Sequence, residues 1–130
     1  MSDDSHTTEI RVRYCETDAM GLLHHGNYIN YFEIARTDLF RVQGGDYRAM
    51  EERGFFFVVV KVEVNYKSPA RYDDVLNVTA MLTQKTGAKL IHDYEVKRGD
   101  TLVATGKSIL ACVDKNGTVQ RLTEELLFGQ

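Results

Sequence analysis

The chain has 130 residues, of which 43% are hydrophobic and 27% charged. This composition is typical of one folded domain and excludes an intrinsically disordered chain. The formal net charge of -3 offers no broad basic surface to a phosphate backbone, so nucleic acid is not an expected partner.

Neither a targeting segment nor a metal motif is recognisable in the sequence. Cys15 and Cys112 are too few for a disulfide framework, and no CxxC or Cys/His cluster indicates zinc. The first residues, MSDDSHTTEI, lack the basic and apolar regions of a signal peptide, and no apolar run is long enough to span a membrane. We therefore expect a cytoplasmic protein without metal or cofactor.

The first third of the chain predicts a strand, a loop and a long helix. Residues 1 to 7 are polar and expected to fray, and Glu9 to Tyr14 alternate as a first strand. The loop CETDAMGLLHHG follows at 15 to 26. From Asn27 to Gln43 apolar residues recur at three- and four-residue spacing, which is helical. Asn27 is the expected N-cap of this helix, and Gly44-Gly45 is the expected stop.

The rest of the chain predicts a short helix and four long strands. The helix is expected at 46 to 53, and a strand follows in which Val58, Val60, Val62, Val64 and Tyr66 share one face. Three further alternating runs, at about 75 to 86, 88 to 98 and 101 to 114, are separated by glycine-containing turns, as in successive antiparallel strands. Thr123 can cap a last helix from Glu124 to Phe128. The order predicts an α+β fold with one antiparallel sheet on a long helix.

The loop before the long helix carries the residues best suited to chemistry. The segment ETDAMGLLHHGNY at 16 to 28 places two carboxylates and two histidines just before a helix N-terminus. Unpaired backbone N–H groups at a helix start can polarise a carbonyl, and a nearby carboxylate can attack it or activate a water. The pattern therefore indicates an acyl-transfer site, although a carboxylate in such a loop often only makes a turn hydrogen bond.

Two segments resemble a known family. RVRYCETDAMGLLHHGNYINYFEIAR is similar to the signature of hotdog thioesterases of the 4-hydroxybenzoyl-CoA type, and NYKSPARYDD at 65 to 74 resembles the Tol-Pal-associated short-chain acyl-CoA thioesterase branch. The resemblance covers roughly residues 8 to 115. It implies a single hotdog domain over 1 to 130, in which a five-stranded antiparallel sheet wraps around the central helix. Met20 and His24 depart from residues common in the family, and these departures bear on acyl-group preference.

The resemblance also implies the site and the reaction. Asp18 is the implied catalytic carboxylate, as nucleophile or as general base, and His25 and Tyr28 are its implied catalytic neighbours. Backbone amides near Asn27 and Tyr28 would hold the carbonyl oxygen, so Gly26 and Asn27 are assigned to substrate binding. The implied reaction hydrolyses a small aliphatic or aromatic acyl-CoA to the free acid and CoA. Sequence alone does not separate CoA from an acyl-carrier protein as the thiol carrier.

Several residues have competing interpretations. Glu33 is the rival carboxylate, because some hotdog thioesterases use a helix glutamate. It ranks second to Asp18, since an ion pair with Arg36 or a contact at a subunit interface can also explain it. Glu16 is expected behind the site or at the surface, and either His24 or His25 could be structural. His92 alternates with Leu90, Tyr94 and Val96 and is expected in the core or in an interface.

The remaining expectations concern partners. Lys67 and Arg71 flank Pro69 and could contact the phosphates of CoA, from the same subunit or a second one. The long helix is so apolar that we expect a second subunit to cover Ile29 and Phe40, and the resemblance implies a homodimer or homotetramer. The alternative functions are a non-catalytic acyl-CoA-binding module and a dehydratase, but neither an output domain nor a dehydratase motif is recognisable.

Overall fold

A single antiparallel sheet and one long helix form the body of the molecule. The structure is a computed structural model that describes residues 4 to 129. Five strands lie in the order β1-β3-β4-β5-β2 and pair antiparallel throughout. The strands are Ser5–Arg11 (β1), Phe55–Tyr66 (β2), Val75–Thr86 (β3), Lys89–Arg98 (β4) and Thr101–Asp114 (β5). The helices are Asn27–Val42 (α1), Tyr47–Glu52 (α2) and Glu124–Phe128 (α3). The predicted α+β architecture is thus confirmed.

The N-terminal boundaries differ from the prediction. The first strand lies at Ser5–Arg11 and not at Glu9 to Tyr14, because it pairs with β3 from Ser5 opposite Met81 to Arg11 opposite Val75. Residues 5 to 7, expected to fray, belong to this strand, and residues 1 to 3 lie outside the described residues. Helix α1 begins at Asn27, so Gly26 is the N-cap and Asn27 is not. The Asn27 side chain instead donates to the Glu16 carbonyl at 2.9 Å.

A β-bulge changes which residues of β2 face the helix. The register with β5 shifts between Val59 and Lys61, so Val60 is the extra residue. Such an insertion reverses the alternation that follows it. Phe57 before the bulge and Val62 and Val64 after it pack inward. The prediction of one unbroken face from Val58 to Tyr66 was wrong for this reason.

The core lies between α1 and the sheet. Tyr31, Phe32 and Leu39 from α1 are almost fully buried against inward residues of β3, β4 and β5. Phe40, which we expected a partner subunit to cover, is already buried within the chain by Tyr47, Phe57 and Phe128. Ile29 remains partly exposed, as expected. In the described part of the chain, no helix is long and apolar enough to cross a membrane.

Candidate active site

The loop between β1 and α1 is a compact, hydrogen-bonded structure. Thr17 bridges to Leu23, and Leu22 bridges to Arg71, so the loop tip is pinned to the segment after β2. Leu23 N–H also donates to the Ala70 carbonyl at 2.8 Å. The two segments that carry the family resemblance are therefore joined directly in space.

The Asp18 carboxylate lies at the tip of this loop and is held by two backbone amides. Its Oδ1 accepts from Met20 N–H at 2.9 Å and from Leu22 N–H at 3.1 Å. Gly21 closes the turn with a φ of 79°, a conformation that favours glycine. Within residues 4 to 129, the other oxygen, Oδ2, has no hydrogen-bond partner. The turn thus fixes the carboxylate and leaves one oxygen available to a ligand.

Glu16 anchors the loop from behind. It is only 7% exposed and accepts from Arg13 N–H at 2.8 Å, from Arg13 Nη2 at 2.9 Å and from the Tyr31 hydroxyl at 2.7 Å. Burial alone would raise the pKa of Glu16, but the hydrogen bonds from Arg13 and Tyr31 outweigh it and lower the pKa below its usual value. Glu16 is therefore an ionised structural carboxylate, consistent with its expected place behind the site.

The Asp18 loop and the end of β2 border an open cavity of about 340 Å³. Three sequence-predicted residues, His25, Tyr28 and Lys67, line it together with Asp18. Tyr28 is buried. Burial raises the pKa of its hydroxyl most, and the neighbouring Tyr66 raises it further. The hydroxyl therefore stays protonated and can donate a hydrogen bond. The cavity thus places a carboxylate, an imidazole, a phenol and an ammonium group around one space.

The two histidines have different surroundings. Their rings stack at 4.1 Å, but only His25 lines the Asp18 cavity. The Nδ1 of His24 accepts from Gly26 N–H at 3.1 Å, so His24 caps the turn into α1. His24 therefore has a structural contact, and His25 is the histidine beside Asp18.

The first backbone N–H groups of α1 already donate hydrogen bonds within the chain, to differing extents. Asn27 N–H donates to the His24 carbonyl at 3.0 Å, whereas the contact from Tyr28 N–H to the His25 carbonyl is 3.4 Å long. A bond of that length is weak. Of these two amides, the one of Tyr28 is more readily available to a ligand.

The structure separates Arg71 and Glu33 from this cavity. Arg71 pairs with Leu22 of the loop through its backbone. Its side chain does not line the Asp18 cavity. Glu33 lies further along α1, is 65% exposed and forms an ion pair with Arg36 at 3.6 Å. The ion-pair interpretation of Glu33 is the one that the structure supports.

Tyr66 and Ser68 also line the cavity and were missed in the sequence. The Tyr66 hydroxyl donates to the His25 carbonyl at 3.0 Å, and its ring contacts Tyr28 edge-on at 5.1 Å. The available signal was the alternation of β2, which places Tyr66 on the same face as Val62 and Val64 at the strand end. Among the described residues, no group of three His, Cys, Asp or Glu side chains is close enough to hold a metal ion.

Comparison with known proteins agrees with this architecture. The thioesterase-like superfamily model matches residues 12 to 127. The acyl-CoA thioester hydrolase YbgC of Escherichia coli O6:H1 is 33% identical, with 81% of this chain and 79% of that protein covered. The acyl-CoA thioesterase YbgC of Haemophilus influenzae is 30% identical, with 88% and 85% covered.

A solved structure of a thioesterase has the same fold. The DHNA-CoA thioesterase of Staphylococcus aureus superimposes with a TM-score of 0.88 at 33% identity, covering 91% of this chain and 80% of that chain. Family match, sequence relatives and fold agree over most of the chain. The chain therefore belongs to the thioesterase-like superfamily and has its hotdog fold.

Proposed function

We propose that this protein is an acyl-CoA thioesterase that hydrolyses a small aliphatic or aromatic acyl-CoA to the free acid and CoA, with Asp18 as its essential carboxylate. The observation that carries the proposal is the Asp18 carboxylate itself, whose Oδ1 accepts hydrogen bonds from two backbone amides. It lies in one cavity with His25, Tyr28 and Lys67. Relatives named as acyl-CoA thioester hydrolases support the substrate class.

The cavity residues suit the steps of thioester hydrolysis. Asp18 Oδ2 takes a proton from water that attacks the carbonyl carbon, or attacks that carbon itself. The oxygen of the carbonyl becomes negative and accepts from Tyr28 N–H at the start of α1, where the helix dipole favours negative charge. Gly26 and Asn27 shape this turn. The C–S bond then breaks, and CoA leaves as a thiol once protonated, for which the neighbouring His25 imidazole is suitably placed.

The test of Asp18 is its amide. Asn retains an oxygen that can accept from the Met20 and Leu22 amides, so Asp18→Asn keeps the turn and removes only the base or nucleophile. We expect kcat/KM on a panel of acyl-CoAs to fall roughly 10²-fold or more, which corresponds to at least about 2.7 kcal/mol. Glu33→Gln is the matched control and should stay near wild type. Retention of more than about a tenth of the activity by Asp18→Asn would remove Asp18 from this role.

A labelled-water experiment tests whether Asp18 is the nucleophile. In a single turnover in H₂¹⁸O, a covalent acyl-aspartyl intermediate that is hydrolysed at the aspartyl carbon leaves ¹⁸O in the Asp18 carboxylate. General-base catalysis places ¹⁸O in the released acid and none in the protein. A heavier Asp18 peptide therefore demonstrates nucleophilic attack by Asp18. An intermediate that is hydrolysed at its acyl carbon would label only the released acid, as general-base catalysis does.

Assembly is the second part of the proposal. Strand β2 lies at the sheet edge, and its Val58, Val59 and Val60 are 42%, 52% and 54% exposed. An open apolar edge strand is a template for pairing with another chain. We infer that two copies pair through β2 into a homodimer, which can pair again as a tetramer. Arg71, outside its own cavity, is then free to contact CoA in the neighbouring subunit, while Lys67 serves its own.

Sedimentation tests the assembly. Val59→Lys should dissociate the oligomer and reduce activity upon dilution, whereas Val119→Lys, at an exposed valine outside the five strands, should do neither. A fully active wild-type monomer would overturn both the interface and the shared site. We also place the enzyme in the cytoplasm, because Cys15 and Cys112 are free thiols, as expected in a reducing compartment.

A further inference from the structure

A second cavity, of about 350 Å³, lies toward the other end of α1. Arg36 and Phe40 line it from the helix, and His92 and Leu90 line it from β4. Among the described residues, none lines both this cavity and the Asp18 cavity. The helix rises about 12 Å between Tyr28 and Arg36 at 1.5 Å per residue. We call this space the Arg36 cavity, and it is separate from the candidate active site.

Arg36 brings a buried charge with one unpaired donor to this cavity. The residue is only 7% exposed, and its Nη1 donates to the Tyr94 hydroxyl at 3.1 Å. Within residues 4 to 129, Glu33 is its one carboxylate partner, at 3.6 Å and largely in solvent. Within the same range its Nε has no hydrogen-bond partner. Burial disfavours the Arg36 charge, but contacts with Tyr94 and Tyr47 outweigh burial and raise its pKa. What remains unsatisfied is the buried Nε, which can donate to an added anion.

His92 adds a second unpaired polar atom to the same wall. It is 4% exposed, and in the described part of the chain its Nδ1 lacks a hydrogen-bond partner. Burial first, and then the Arg36 charge, lower its pKa to about 4, so the ring is neutral at pH 7. A neutral imidazole has one N–H donor and one acceptor nitrogen. His92 can therefore donate to an anion without adding a second positive charge.

The rest of the wall is divided between apolar and polar residues. The polar part includes Asp4, Lys85 and Glu124, of which Lys85 and Glu124 form an ion pair at 3.6 Å. The apolar part is mostly aromatic. Phe40 lies 6.1 Å from Phe57 and 5.7 Å from Phe128 between ring centroids, and all three line the cavity with Leu82 and Leu90. Aromatic walls of this kind bind a flat or extended apolar group. The volume is near the lower end for ligand pockets, so it accommodates one ring or a short chain.

We propose that the Arg36 cavity binds a small organic carboxylate, an aryl or short alkyl acid, whose carboxylate pairs with Arg36 and His92 and whose body packs on the phenylalanines. A planar carboxylate matches the donor geometry of a guanidinium. An inorganic anion would leave the aromatic wall uncovered, and a hydrocarbon would leave two buried polar atoms unpaired. The combination of charge and apolar wall selects a ligand that has both parts.

The test uses benzoate, with benzamide as its uncharged isostere, and follows the histidine ring signals of the full chain by ¹⁵N–¹H NMR. We expect benzoate to shift the His92 signals saturably, benzamide to bind at least about tenfold more weakly, and the His92 shifts to persist in Asp18→Asn. Shifts confined to His25 would place benzoate in the active site and overturn the proposal. The absence of saturable shifts, or equal binding of benzamide, would also overturn it.

Two variants test the geometry independently. Arg36→Met should weaken benzoate binding at least about tenfold. Because that change alters a buried network, Leu82→Phe serves as a second variant that fills the cavity and keeps the arginine. Val42→Phe, at an exposed position on α1, is its matched control and should bind like wild type. Unchanged binding in Leu82→Phe would refute the site. The readout is binding, so its outcome is independent of thioesterase activity.

Discussion

His92 makes the stability of the fold sensitive to acid. Burial, reinforced by the Arg36 charge, lowers its pKa from 6.5 to about 4. Above pH 6.5 the ring is neutral in the folded and the unfolded chain, and the shift has no effect. As the pH falls from 6.5 to 4, the unfolded chain takes up a proton that the folded chain excludes, so stability is lost. A difference of about 2.5 pKa units corresponds to roughly 3 kcal/mol.

The measurement is urea unfolding at fixed protein concentration between pH 7 and pH 4, for wild type and for His92→Phe. Carboxylates contribute equally to both proteins, and the constant effect of the substitution cancels in the pH dependence. We expect wild type to lose roughly 3 kcal/mol more than the variant over this range. Parallel pH profiles would show that His92 titrates normally in the folded state, and the reasoning from burial would fail.

Three further substitutions test other contacts. Gly106→Ala should destabilise the fold by roughly 1 to 3 kcal/mol in urea unfolding, because the added methyl group would collide with the Phe32 ring. A stability equal to wild type would contradict that packing. Tyr66→Phe removes the hydrogen bond to the His25 carbonyl and should lower kcat/KM severalfold with little change in stability, since one such bond is worth roughly 1 kcal/mol. Lys67→Ala should raise KM for acyl-CoA more than it lowers kcat, and an unchanged KM would exclude its contact with CoA.

Local sequence patterns predicted most of the fold. Strands β3, β4 and β5 lie within about one residue of their predicted bounds, because each ends at a glycine turn. Register shifts within β3 and between β4 and β5 do not move these bounds. Asp46 caps α2 and Thr123 caps α3 by accepting backbone N–H bonds, as such residues commonly do. These elements follow from contacts within a few residues.

The errors arose where distant pairing decides the structure. The bounds of β1 depend on β3, about seventy residues away, and the β2 bulge depends on its register with β5. Phe40 looked too apolar for one subunit because the sequence does not show that α2 and α3 fold back over it. Only three-dimensional packing covers this side chain.

The sequence predicted those residues of the candidate site that lie close together along the chain. Asp18, His25 and Tyr28 come from the recognisable loop and helix start, and Lys67 came from the second block. Tyr66 was missed because its contact with His25 spans 41 positions in sequence. The polar pair Arg36 and His92 was equally hidden, since neither residue stands out until helix and sheet are packed together.

The strand order has a consequence for how the protein is made. Strands β3, β4 and β5 follow each other both along the chain and across the sheet, whereas β1 and β2 lie at opposite edges and join it through distant partners. An N-terminal half emerging from the ribosome holds the Asp18 loop, α1 and both edge strands, but none of the three central strands. Ser5 can pair only after Met81 has been synthesised, and Phe55 can pair only after Asp114 has been synthesised. Folding is therefore expected to be late and slow, because long loops close before such contacts form. We therefore expect the Asp18 loop to reach its final position only when nearly the whole chain has been synthesised.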